Sequence, residues 1–218
     1  MRLGVNAFDR RLEDIKCVQR RSAQMIANLK RSLAIITISL AVIALPKNHV
    51  EANEPALWKA LQTEGHVALL RHAIAPGTGD PEAFTIGDCS TQRNLSEEGR
   101  AQAARIGDRF RTNGIETARV FSSQWCRCRE TAELLELGPV NELPALNSFY
   151  QRPENRKPQT EALREWLQKQ DLSSVHVLVT HQVNITALTG VFPNSGELVI
   201  VRAPGNGDIT VIGTIETD

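Results

Sequence analysis

The chain has 218 residues, 41% hydrophobic and 23% charged, which is enough apolar content for one well-cored domain plus a short extra segment and excludes a disordered chain. Its formal net charge of zero is unevenly spread, because residues 1–52 hold nine Lys/Arg against four Asp/Glu and leave 16 against 21 in residues 53–218. An acidic body without a basic stripe argues against nucleic acid as a partner, since phosphate-backbone affinity comes from Lys/Arg contacts.

Residues 1–31 are basic and weakly patterned, and Leu33 to Leu45 follow as an uncharged apolar run ending at Pro46. A membrane-spanning helix needs about 20 apolar residues and a secretory h-region about 7–15, so this run predicts a signal peptide within residues 1–52. Val50 and Ala52 are small residues at the positions a signal peptidase reads, predicting a mature chain from Asn53. Translation from Met25 would give a leader of ordinary length. The alternative is an uncleaved anchor holding the domain at a membrane surface. In both cases the 53–218 domain is exported, to the periplasm or the extracellular space.

The body then reads as alternating elements. Glu54 to Gln62 has Leu57, Trp58 and Leu61 at helical spacing. His66 to Arg71 is a short strand buried on both faces, followed at its carboxyl end by His72. A Gly/Pro-rich loop leads to Ser96, an N-cap with Glu97 and Glu98 in the first turn of a helix that runs to about Thr112. Its apolar positions read as Ala101, Ala104, Ile106 and Phe110, and Asn113-Gly114 ends it.

Arg119 to Ser122 is a second strand, and Trp125 to Leu137 a helix with Arg127 and Thr131 one turn apart near its start. Val140 to Asn147 reads as an edge strand or extended loop, Gln151 to Gln159 as a loop, and Thr160 to Gln168 as an amphipathic helix. Ser174 to Thr180 is the strongest strand and ends in His181; His176 inside it reads as a packing residue. A helix over about Val183 to Leu188 and a final antiparallel pair, Glu197 to Arg202 and Ile209 to Thr214, complete the pattern. This alternation predicts an α/β three-layer sandwich with a mostly parallel central sheet.

Cys89, Cys126 and Cys128 are an odd set, so two can pair and one stay free. A bridge from Cys89 to either of the others would tie the loop before Arg93 to the segment carrying Arg127. A metal site is disfavoured because Cys-x-Cys lacks the usual C-x-x-C spacing, and the plain alternative is three small buried hydrophobes.

Three strands thus end in Arg71-His72, in Ser122-Ser123 with Arg127 just beyond, and in His181. In open α/β sheets ligands bind at that edge. Two arginines and two histidines there suit a phosphomonoester: the arginines hold a phosphoryl dianion, and a neutral imidazole nitrogen attacks phosphorus. No metal or cofactor is required. There is no Gly-x-Gly-x-x-Gly, Walker loop or Gly-x-Ser-x-Gly elbow, which removes support from nucleotide-binding and serine hydrolase readings.

Four motifs in this order resemble those of the histidine phosphatase superfamily, the phosphoglycerate mutase-like group. They are Leu70-Arg71-His72-Ala73, Leu95-Ser96-Glu97-Glu98-Gly99, Ser122-Ser123 through Arg127 to Thr131-Ala132, and His181 after Val177-Leu178-Val179-Thr180. The resemblance implies a phosphoglycerate mutase-like fold and a phosphoric monoester hydrolase, with His72 as the nucleophile and Arg71, Arg127 and His181 as the phosphate pocket. The family's Leu-x-Glu acid is replaced by Leu146-Asn147-Ser148, and Gln182 follows His181 where other members have aspartate. Glu142 and Glu154 are the nearby carboxylates, and the general acid is left unassigned. The short stretch between Arg127 and His181 predicts an open pocket for a phosphorylated small molecule, an envelope glycan or a protein phosphohistidine. The competing expectation is a non-catalytic phosphate- or phosphoglycan-binding protein that keeps the pocket without an acid.

Overall fold

The computed structural model describes residues 53–203, 205 and 207–217. The predicted leader, including Met25 and the apolar run, lies outside the described residues.

Strands β1 (His66–Arg71), β2 (Arg119–Ser122), β3 (Val140–Glu142), β4 (His176–Thr180), β5 (Leu198–Arg202) and β6 (Thr210–Ile215) form one sheet in the order β3-β2-β4-β1-β5-β6. β3, β2, β4 and β1 run parallel, and β5 and β6 are added antiparallel. The β5–β6 pair is the hairpin expected from the carboxyl-terminal pattern. Val140 to Asn147 resolves into a three-residue edge strand and a 3-10 turn, Pro144–Leu146, so its proline lies where no ladder bond is needed.

Side chains alternate across β1 and divide the core. Ala68 and Leu70 join one cluster with residues of helices α1 (Glu54–Leu61), α2 (Glu97–Thr112) and α3 (Cys126–Leu134). Val67 and Leu69 join the other, with residues of α4 (Arg156–Gln168) and α5 (Gln182–Thr189). Helices therefore cover both faces, the three-layer arrangement that the alternation of elements predicts.

Several boundaries differ for identifiable reasons. Helix α4 starts at Arg156 rather than Thr160, because Pro158 falls in its first turn, where a missing N–H costs nothing. Helix α3 stops at Leu134, and Glu136 adopts φ 53° before Gly138 and Pro139. The buried face of α2 is Gly99, Gln102, Ala103, Ile106, Gly107 and Phe110. Ala101 is exposed and Ala104 half-buried, so the predicted apolar stripe is rotated. Glycines set this face: a Cβ on Gly99 would lie 2.0 Å from the Ile74 carbonyl oxygen and one on Gly107 2.3 Å from that of Leu135. The helix packs backbone to backbone there, which an apolar count misses.

The 25-residue segment between β1 and α2 carries only one short 3-10 turn, Cys89–Thr91. A Cys89–Cys126 disulfide fastens it to the first turn of α3, while Cys128 is free and buried. Gln92 adds a second tie by accepting from the Cys126 N–H at 3.0 Å. Closing a loop of sequence separation 37 is worth about 4 kcal/mol by chain entropy. Reduction, or Cys89→Ser with Cys126→Ser, is expected to lower unfolding stability by about 2–4 kcal/mol in urea titrations. A change under about 0.5 kcal/mol would show that the loop holds its place without the bridge.

Candidate active site

Strands β2, β4 and β1 lie side by side and parallel, with Arg71 opposite Thr180 and Ser122 opposite Val179. Their carboxyl ends are therefore level. His72 N–H donates to Thr180 O and Ser123 N–H to Val179 O, each at 2.9 Å, so the ladder continues one residue into the site. Arg71, His72, Ser123 and His181 are brought together as the sequence predicts, and Arg127 comes from the first turn of α3.

His72 is almost fully buried. Its Nδ1–H donates to its neighbour's carbonyl, Ala73 O, at 2.8 Å, which leaves Nε2 with a lone pair facing Arg127 Nε–H at 3.3 Å. Burial first, then the charge of Arg127, holds the imidazole well below its ordinary pKa, against the upward pull of the Ala73 bond. His181 is held low by burial and by Arg127 in the same way. Its Nε2 contacts Ser123 Oγ at 2.9 Å and its Nδ1 faces Arg127 Nη2 at 3.4 Å. The two imidazoles stand edge to face with centroids 5.5 Å apart.

Thr131 explains the i,i+4 spacing noted in α3. Its hydroxyl donates to Arg127 O at 2.7 Å and accepts from Ala73 N–H at 3.1 Å, tying the arginine's helix to the strand end behind His72. Gln102 performs a similar task from α2, accepting from Ile74 N–H at 3.0 Å and donating to Ser195 O at 3.0 Å.

Two residues that the sequence reading did not assign to the site line it. Arg93 donates through Nε to Gly79 O at 2.7 Å and through Nη1 to Ala75 O. Asp80 receives a bidentate pair from Arg127, Nη1 to Oδ1 at 2.7 Å and Nη2 to Oδ2 at 3.1 Å, with both side chains 3% exposed. Arg93 N–H and Trp125 Nε1–H complete its partners at 3.1 and 3.0 Å. Burial pushes the Asp80 carboxyl up, but the bonds and charge of Arg127 outweigh it and hold the group below its ordinary value. The loop sequence Gly77-Thr78-Gly79-Asp80-Pro81 was the available signal: a carboxylate in a long loop above the strand ends.

Glu142 and Glu154, the carboxylates near the position of the family acid, are both exposed and do not line the cavity. Glu142 instead accepts from Gln124 Nε2 at 3.2 Å and pairs with Arg129. Cys128 lies under the site, its Sγ 3.4 Å from His181 Nε2, but burial pushes its thiol up to about 12, so it stays protonated and is no nucleophile.

Arg71, His72, Asp80, Arg93, Arg127 and His181 surround a cavity of about 120 Å³ whose wall includes Ser148, Tyr150, Gln182 and Val183. With both histidines neutral, three guanidiniums and one carboxylate leave this lining at net +2. The Arg71 Nε–H is buried without a partner, while its Nη1 is anchored on Pro193 O at 2.9 Å. A doubly positive cavity walled by three guanidiniums fits a bound dianion.

The sequence profile of the histidine phosphatase superfamily (branch 1) matches residues 67–169. A mitochondrial serine/threonine-protein phosphatase Pgam5 of Drosophila virilis is 29% identical over 91 residues, 42% of this chain and 29% of that protein. The chain thus spans under a third of the length of the curated relatives it matches. Among solved structures, the protein histidine phosphatase SixA complexed with tungstate superposes with a TM-score of 0.51 at 17% identity, over 70% of this chain and 97% of that one. The Entamoeba histolytica phosphoserine phosphatase bound to 3-phosphoglyceric acid gives 0.51 at 13% identity, over 70% and 98%. At such identities the structural matches speak for the fold. Over residues 67–169 the chain is thus similar to the histidine phosphatase superfamily, and three of the four motifs that carry the resemblance fall on one strand edge while Leu95–Gly99 opens α2.

Proposed function

We propose that this protein is a phosphatase that hydrolyses phosphomonoesters through a covalent phosphohistidine on His72, without a metal ion. The observation that carries the reading is His72 itself: a buried neutral imidazole whose Nδ1–H is committed to Ala73 O, leaving the Nε2 lone pair at the floor of a doubly positive cavity. In the first step Nε2 forms a bond to phosphorus as the ester P–O bond breaks. The ring becomes cationic, and Ala73 O accepts from its Nδ1–H throughout. Negative charge on the phosphoryl oxygens meets Arg71, Arg93 and Arg127, the work a metal does in other phosphatases. Water then attacks phosphorus, the N–P bond breaks, and neutral His72 and inorganic phosphate result.

His181 needs a proton on the nitrogen that faces the phosphoryl group. The Ser123 hydroxyl supplies the means, because it lies 2.9 Å from His181 Nε2 and 3.3 Å from Asn147 Oδ1. When it donates to Asn147 it accepts from Nε2–H; when it turns to donate to Nε2, the ring proton resides on Nδ1, toward Arg127 and the substrate.

The cavity volume, about 120 Å³, is well under the roughly 300 Å³ at which small-molecule pockets begin. It takes a phosphoryl head and leaves the remainder of the substrate at the mouth beside exposed Tyr150. This favours a bulky phosphorylated molecule, such as an envelope glycan or a protein phosphohistidine. An exported location, periplasmic or extracellular, is part of the same proposal and is supported by the Cys89–Cys126 disulfide, which suits an oxidising compartment.

The test is turnover of 4-nitrophenyl phosphate by the full chain. His72→Ala is expected to lower kcat by at least about 10³-fold and to abolish the acid-labile phosphoryl group trapped on the wild-type protein. Chelator should leave turnover unchanged. Activity surviving His72→Ala would overturn the mechanism, and chelator-sensitive activity would replace it with a metal-dependent one.

The low proton affinity of His72 and His181 also sets a pH dependence of stability. In the unfolded chain both titrate near 6.5, whereas in the fold burial and Arg127 keep them neutral well below that. Below about pH 6.5 the unfolded state therefore binds more protons, and stability falls with falling pH by up to about 1.4 kcal/mol per pH unit per histidine. Urea titrations between pH 7.5 and 5.5 are expected to show this slope in the wild type and a flatter one in a His72→Gln, His181→Gln protein. Equal slopes would place the acid sensitivity elsewhere.

A further inference from the structure

Resting on the phosphatase reading, we propose that Asp80 is the catalytic proton donor to the leaving group and then the base that activates water. Among the described residues lining the cavity, it is the single carboxylate. It is bound to the same guanidinium as the nucleophile: Arg127 reaches His72 Nε2 through Nε and both Asp80 oxygens through Nη1 and Nη2. One planar group thus holds nucleophile and carboxylate at a fixed separation across the place where phosphorus must sit.

Asp80 occupies donors that a phosphoryl group requires. A dianion entering the cavity competes for Arg127 Nη1 and Nη2, and Asp80 gives them up. The carboxylate then keeps Arg93 N–H and Trp125 Nε1–H, which still favour its ionised form, but loses the larger influence of the Arg127 bonds and faces new negative charge. Each change favours its protonated form. The proton arrives with the substrate as its monoanion or from solvent.

The steps balance. As His72 Nε2 bonds to phosphorus and the P–O bond breaks, the Asp80 proton moves to the departing oxygen, which leaves as an alcohol, and Asp80 becomes a carboxylate. Water then gives a proton to Asp80 while its oxygen bonds to phosphorus and the N–P bond breaks. The cycle ends with inorganic phosphate, neutral His72 and protonated Asp80, and release of phosphate lets Asp80 ionise and return to Arg127. The tether explains why the loop of residues 77–80 carries a buried charge at all: a carbonyl oxygen could satisfy Arg127, as Arg93 O already does at 3.2 Å.

The experiment compares wild type with Asp80→Asn, which keeps the size of the side chain and an oxygen acceptor for Arg127. Two substrates are used, 4-nitrophenyl phosphate, whose phenolate leaves unaided, and glycerol phosphate, whose alkoxide needs a proton. The asparagine variant is expected to lose about 10²–10⁴-fold in kcat/KM on glycerol phosphate and less than about 10-fold on the aryl ester. Because hydrolysis of the phosphoenzyme then lacks its base, a burst of 4-nitrophenol equal to the enzyme present should precede a slow steady state. Equal losses on both substrates would overturn the acid role and leave Asp80 as a positioning residue for Arg127. Should the variant not fold, the wild type alone decides through a series of phosphate esters. A kcat/KM that falls steeply with leaving-group pKa would show that no acid acts. A wild type without His72-dependent turnover on either ester would remove the phosphatase reading itself, and this proposal with it.

Discussion

The buried guanidinium of Arg127 constrains everything around it. It lies 2% exposed at the start of α3, where water cannot solvate it, and removing an ion of this size from water costs several kcal/mol unless nearly every N–H finds an acceptor. Four residues from three pieces of chain supply them: His72 after β1, Asp80 and Arg93 from the long loop, and His181 after β4. Removing one acceptor leaves an uncompensated charge, so the site cannot loosen one segment at a time. The same requirement orders a loop with little core of its own. Its fixed points are the Asp80 pair, the Arg93 bonds to Gly79 and Ala75, and the disulfide to Cys126.

Geometry at the strand ends follows from backbone rather than side chains. Parallel neighbours in register put Arg71 level with Thr180, and the bonds from His72 N–H and Ser123 N–H fix the first residues beyond each strand before any ligand arrives. Helix α3 is then set against β1 by Thr131, whose hydroxyl serves both Arg127 O and Ala73 N–H. The ordering cost of the strand ends and of α3 is therefore met during folding, before any charge enters the cavity.

Much of this was legible from residue order alone. His66 to Arg71 and Arg119 to Ser122 are strands as read, and Arg71, His72, Arg127 and His181 meet in one cavity because the motifs sit at strand and helix ends, where periodicity stops and polar residues begin. What escaped has two physical causes. Asp80 and Arg93 belong to an irregular segment, in which no period relates a residue to a face, so their convergence on Arg127 is visible only in three dimensions. The α2 face was misread because Gly99 and Gly107 contribute close backbone contact and no apolar surface. Glu142 and Glu154 follow α3 in the chain and stay outside the cavity, whereas the carboxylate that lines it comes from before α2.

The charge arrangement couples binding to proton placement. Burial is the largest influence keeping His181 neutral, and the next is repulsion from Arg127. A phosphoryl dianion cannot undo the burial, but it cancels the cationic charge. The proton affinity of His181 rises when the phosphoryl oxygen it faces needs a donor, and the Ser123 hydroxyl can accommodate the ring in either setting. His72 experiences the same anion but differs in one respect: its Nδ1–H is held by Ala73 O, so any stabilised positive charge stays on the side away from phosphorus. In the proposed mechanism one anion thus acts on two buried imidazoles with opposite results, a better donor at His181 and an undiminished nucleophile at His72, and what separates them is a carbonyl on one ring and a rotating hydroxyl on the other.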